Sequence, residues 1–155
     1  MRVSCSSEPE DPNDIDSNLI TAVELVSLPS KKVLVNVGER NEVSAPNVIW
    51  SPDSQWFAFP FSEGHRVTET YVYRRSGDEF AVLETEELRV EAKGDVRNEY
   101  VTPIRWVKPG VLLLEQFDIF RGGEGKDATY QFTAKFDEKT GKFRIISKKK
   151  VPSKE

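Results

Sequence analysis

From residue 19 onward the chain alternates between short apolar bursts and polar turns carrying proline or glycine. "LITAVELVSL" and "KKVLVNVG" are partly alternating, β-branched runs divided by Pro29 and Ser30, a pattern that predicts a hairpin. "NVIW" and "QWFAFPF" follow, separated by Ser51, Pro52, Asp53 and Ser54, where proline presets φ and the short polar residues favour a turn. "VTETYVYRR" and "EFAVLE" flank Ser76-Gly77-Asp78. Beyond a charged connector come "PIRW", "VLLLEQFDIF", "TYQFTAKF" and "KFRIIS". The best helix candidate, residues 84–93, has no sustained period of 3.6 and reads as another strand or a single turn. The pattern predicts one all-β domain over residues 19–151.

A four-strand unit occurs twice, over residues 47–84 and 102–149. Each opens with a short strand ending in tryptophan, Trp50 or Trp106, and continues through a proline turn into a strand apolar on both faces. A strand of that kind suits an interior position with packing on each side. An amphipathic third strand and a glycine turn lead to a fourth strand opening with Phe80 or Phe143. Residues 85–101 connect the units, and residues 19–38 form the outer half of an incomplete preceding one. Trp50 and Trp106, beside apolar strands, are expected in the core; Trp56, just after a turn, is expected to be partly exposed.

"IWSPDSQWFAF" resembles the W-S-P-D-G-x-x-I-A-F pattern of the TolB-type and WD40-like β-propeller repeats, with Ser54 in place of the usual glycine. "RWVKPGVLLLEQF" shares only the tryptophan, the turn and the apolar strand. The resemblance implies about two and a half four-stranded antiparallel blades, against the ~4 that close a ring. The expected architecture is therefore open or sandwich-like, standing alone, completing itself by self-association, or docking on a partner. Fold analogy carries no chemistry.

Composition narrows the functional classes. Residues 1–18 hold Glu8, Glu10, Asp11, Asp14 and Asp16 against Arg2, which accounts for the formal net charge of −4 and leaves the remainder neutral. A neutral body lacks the basic surface on which nucleic-acid binding depends. Lys148, Lys149 and Lys150 read as a solvated strand end. The acidic, proline-containing segment 1–18 reads as a disordered tether. With one cysteine and one histidine, Cys5 and His65, neither an internal disulfide nor a Cys/His zinc site is expected. No metal site or other cofactor is expected. Cys5, followed by Ser6 and Ser7, resembles the start of a mature bacterial lipoprotein, which implies a lipid anchor at Cys5 and a periplasmic or cell-surface location. No apolar signal region precedes Cys5, and Arg2 stands where a lipobox has an apolar residue. The resemblance therefore requires a removed signal and an added Met1; the alternative is a cytoplasmic protein with Cys5 as a free thiol in a disordered tail.

If both units are blades, residues 62–68, residues 121–128 and the connector residues 93–100 meet at one rim. That rim offers His65, Arg66, Asp95, Arg97, Arg121, Glu124, Lys126 and Asp127 as ligand-binding candidates on a rigid scaffold. "GGEGKD" is not a phosphate-binding loop: Phe120 stands where that motif has glycine, Asp127 where it has Ser or Thr, and a strand follows instead of a helix. The expected function is a non-enzymatic binding or scaffold module, bacterial and extracytoplasmic, that engages a protein, a polar ligand or a glycan through these loops. The alternatives are a small hydrolase using His65 as general base and a purely structural assembly subunit.

Overall fold

The computed structural model describes residues 2–11, 15–39, 47–122 and 127–152. These residues form an open all-β fold with no α-helix. Arg2–Cys5 (β1), Ile20–Val26 (β2) and Val33–Glu39 (β3) make a three-stranded sheet in the order β1-β2-β3. The larger sheet comprises Ile49–Trp50 (β4), Trp56–Glu63 (β5), Val67–Ser76 (β6), Glu79–Val82 (β7), Val96–Lys108 (β8), Val111–Phe120 (β9), Asp127–Asp137 (β10) and Lys142–Val151 (β11). Its order is β11-β10-β9-β8-β6-β5-β4, with β7 also paired to β6.

Two antiparallel meanders, β4–β7 and β8–β11, make up the larger sheet. They join where β6 runs parallel to β8, at Val67 opposite Glu99 and Thr68 opposite Tyr100. Farther along, the same edge of β6 is taken by β7, with Tyr73 opposite Val82. Thr70 Oγ1 donates to the Val101 carbonyl (2.9 Å) and Trp106 Nε1 to the Ile49 carbonyl (3.0 Å), tying β8 to the first meander.

The two-faced strand β5 explains how the layers stack. Side chains alternate across a strand, so Trp56 and Ala58 enter one core while Phe57 and Phe59 enter another. The first core unites the facing surfaces of both meanders through Val72, Trp106, Leu112, Leu114 and Phe132. The second lies against the three-stranded sheet, where Ile20, Val23, Leu25 and Val37 meet Phe57, Phe59 and Tyr73.

Several expectations change. Arg2–Cys5 is not tether: it pairs with β2, and the half-buried Cys5 lies opposite Ile20. Ile15, the one apolar residue of the acidic stretch beyond Cys5, packs against the second core. Strand β8 begins at Val96, inside the expected connector, because Val96 and Asn98 already pair with β9. Residues 83–95 form neither helix nor strand; they cross the first core as a strap that buries Leu88 and Val90. Trp50 and Trp56 exchange their expected environments. Trp56 is 5% exposed beneath the Arg74 guanidinium, whereas Trp50, on edge strand β4, is 42% exposed and packs on Phe57 and Phe80. Lys148, Lys149 and Lys150 lie exposed on edge strand β11, where charge discourages pairing with other chains.

The turn before β5 is held by Ser51. Its hydroxyl donates to Asp53 Oδ1 (2.5 Å) and accepts from Trp56 N (3.0 Å), while Ser54 N donates to Ser51 O (2.9 Å). The Ser51 hydroxyl holds the Asp53 carboxyl below its ordinary range. Ser54, where the resembling repeats carry glycine, adopts φ +56°. That left-handed conformation costs an L-residue about 1–2 kcal/mol, partly offset because glycine loses more freedom on folding. Ser54→Gly is therefore expected to raise stability by about 0.5–1 kcal/mol, read as a higher urea midpoint at unchanged m-value. A lower midpoint would refute it.

Candidate functional site

The β5–β6 turn, the start of β8, the end of β9 and the start of β10 lie at one end of the larger sheet, here the loop end. Gly94 allows the strap to reach it: at φ +139°, a Cβ there would stand 3.0 Å from the Phe120 ring, so a larger residue would displace the strap. Beyond Gly94, Arg121 N donates to Asp95 O (2.9 Å), and Arg121 Nε lies 3.6 Å from Asp95 Oδ1. Both side chains are exposed, so this ion pair adds little stability. Glu99 N donates to Arg66 O (2.9 Å), and the Tyr100 hydroxyl donates to His65 O (3.1 Å). Tyr100 stacks on Phe117 at 6.3 Å and accepts from Asn98 Nδ2 (2.6 Å).

His65, Arg66, Asp95, Arg97, Arg121 and Asp127 are all exposed at this end. Backbone bonds place the His65–Arg66 turn beside β8 and bring Asp95 to Arg121. Asp127 opens β10 opposite Ile119. Arg97 lies at a register shift between Val96 and Asn98, a local irregularity of the kind that redirects side chains on a strand. Glu124 and Lys126 lie outside the described residues.

Beneath the loop end is a feature the sequence reading missed. Gln116 and Asp118 stand two apart on β9 and face inward; both are fully buried. Gln116 Oε1 accepts from Val90 N (2.6 Å) and Gln116 Nε2 donates to Val90 O (2.9 Å), so one side chain substitutes for a strand neighbour of the strap. Nε2 also lies 3.0 Å from each Asp118 oxygen and 3.5 Å from Glu99 Oε2. Glu99 is directly opposite Asp118 across the β8–β9 ladder. Burial raises the Asp118 carboxyl above its ordinary range, against the Gln116 hydrogen bond. Burial, then the nearby Asp118, raises Glu99, opposed by Arg89 with Nη1 at 3.9 Å. Glu69, Glu86, Arg89 and Glu99 line an adjoining pocket of about 120 Å³ with Thr70 and Leu88. The available signal was polar residues at alternate positions in "VLLLEQFDIF", a strand otherwise apolar on both faces.

Among the described residues, no group of three or more His, Cys, Asp or Glu side chains is arranged to hold a metal ion, and no helix is long and apolar enough to cross a membrane. Comparisons with protein-family models, curated proteins and solved structures yield no match to this chain.

Proposed function

We propose that the protein is a non-enzymatic binding module that engages a protein partner through its loop end. The observation that carries this reading is the convergence of the β5–β6 turn, the start of β8, the end of β9 and the start of β10, which presents Arg66, Arg97 and Arg121 with Asp95 and Asp127 on one exposed surface. These residues stand on paired strands backed by a buried core, which limits the ordering cost of association. Arginine suits such a surface because its planar fork can engage a carboxylate or a backbone carbonyl in more than one direction.

Site-specific photo-crosslinking tests the reading. A benzophenone side chain is placed at His65 and, as a control, at exposed Ser30 in the β2–β3 turn, in cells producing the chain. An adduct is expected from position 65 but not from 30, and Arg66→Ala with Arg97→Ala should reduce the yield from position 65 by about tenfold or more, the scale of losing one or two charge-assisted contacts. Adducts of equal yield from both positions, or none from position 65, would overturn it.

A further inference from the structure

At the opposite end of the meanders lies a cleft of about 400 Å³, a size usual for small-ligand sites. We propose that this cleft binds a phosphate monoester group. Strand register builds it: Arg74 pairs directly with Trp56 across β5 and β6, whereas the next residue, Arg75, turns to the other face and donates its Nε to Gly77 O (3.0 Å). The end of β8 contributes Lys108, and β10 contributes Lys135. Gly110, at φ +70°, brings its backbone close to the aromatic floor; a Cβ there would meet the Trp56 ring at 3.6 Å.

The central cation is fixed in advance. The Arg74 guanidinium stands 4.6 Å from the Trp56 ring centroid and 5.4 Å from that of Phe136, and its Nη1 donates to Glu138 Oε2 at 2.8 Å. Ring stacking and one carboxylate hold the plane while other N–H groups of the five-donor fork remain for a ligand. Lys108 and Lys135 are exposed and form no ion pair among the described residues.

The donor set selects the ligand. Arg74, Lys108 and Lys135 face Asp53 and Glu138, and both carboxylates are engaged, Asp53 by Ser51 Oγ and Gln55 N, Glu138 by Arg74. The residual charge is positive, and it is spread over three separate donors. A phosphate monoester is anionic at neutral pH and offers three acceptor oxygens, which suit one guanidinium edge and two mobile ammonium groups. A single carboxylate offers two oxygens and leaves one of the three donors unmet. A polynucleotide needs a longer basic stripe than this neutral body offers.

The test is titration of the full chain with inorganic phosphate, phenyl phosphate and acetate at low salt, followed by Gly110 amide and Trp56 indole shifts in proton–nitrogen correlation spectra. Phenyl phosphate is expected to saturate shifts at both reporters and to bind at least about tenfold more tightly than acetate, the difference made by one further charge-assisted contact. Phenyl phosphate binding tighter than inorganic phosphate identifies an ester as the source; the reverse order overturns the ester assignment in favour of free phosphate. Lys108→Ala and Lys135→Ala, both at exposed positions, should each weaken phenyl phosphate by about tenfold, with Lys149→Ala on β11 without effect. Acetate binding equal to phenyl phosphate would assign the cleft to acidic protein side chains instead. Unsaturable shifts, or affinity unchanged in the double lysine variant, would overturn the site itself.

Discussion

Phe57→Ala is expected to cost the protein about 3–5 kcal/mol, the range for truncating a fully buried phenylalanine. Phe57 is 0% exposed and lies at the centre of the second core. Its ring stacks on Tyr73 at 4.8 Å with the planes 3° apart, and meets Trp50 at 5.0 Å and Phe80 at 5.3 Å. The loss has two parts, the transfer free energy of the ring and the contacts its neighbours forfeit around the space it leaves. Both should be large, because backbone pairing on either side of β5 keeps the flanking strands from closing in. Phe117→Ala supplies the comparison: that ring is only half-buried on β9, and its loss should cost well under the Phe57 value. Urea unfolding of the three proteins measures the difference. A Phe57→Ala loss below that of Phe117→Ala would mean that the three-stranded sheet does not close over β5, and the layered architecture would be wrong.

That stacking is the part of the fold most readable from local pattern. "WFAFPF" carries apolar residues on both faces of one short strand, and the only way to satisfy both is a layer on each side. The turns were equally legible, because proline, glycine and short polar side chains state backbone geometry directly. The strap was not. Residues 83–95 lack any period because their path is set by a distant side chain, Gln116, which takes the place of a strand neighbour for Val90. Trp50 and Trp106 were expected to be alike from their repeat positions, yet one lies on a sheet edge and the other between the meanders with its Nε1 bonded to Ile49. Position in a repeat fixes neighbours within the unit but not between units. The rim was expected on the condition that both units are blades, whose corresponding connections leave the sheet at the same end. The cleft around Arg74 needed register: only the pairing of Arg74 with Trp56 brings "YRR" over the tryptophan that follows the first turn.

Asp118→Asn is expected to raise stability at pH 7 and to flatten its dependence on pH. Asp118 is a fully buried carboxyl facing Glu99 on β8, and its side chain accepts from Gln116. Besides Asp118, Glu69 on β6 and Arg89 on the strap act on Glu99, the latter exposed and 3.9 Å away, and Glu86 lines the same pocket. Both carboxyls are raised above their ordinary range in the folded protein, Asp118 by burial and Glu99 by burial and then by Asp118. The folded state therefore holds these protons more tightly than the unfolded chain. Their stabilising contribution is complete below the unfolded carboxylate range, about pH 4, and is lost as pH rises through the folded values. Ionising these carboxyls places negative charge among buried groups, and the cation nearest Glu99 among the described residues is the exposed Arg89. Asparagine preserves the shape and keeps one acceptor for Gln116 Nε2, while its amide nitrogen must turn away from that donor, which limits the gain. The gain at pH 7 should be about 1–2 kcal/mol, the scale on which an uncompensated buried polar group is penalised. Unfolding midpoints measured from pH 4 to 8 give the test. The parent should lose stability across the lower part of that range, and Asp118→Asn should lose less. Glu99→Gln should shift the profile in the same direction, because it removes the second carboxyl that burial and then Asp118 raise. Parallel profiles for parent and variant, or a variant less stable at pH 7, would mean that the pair is already neutralised in the native state and that the strap is not held over unbalanced charge.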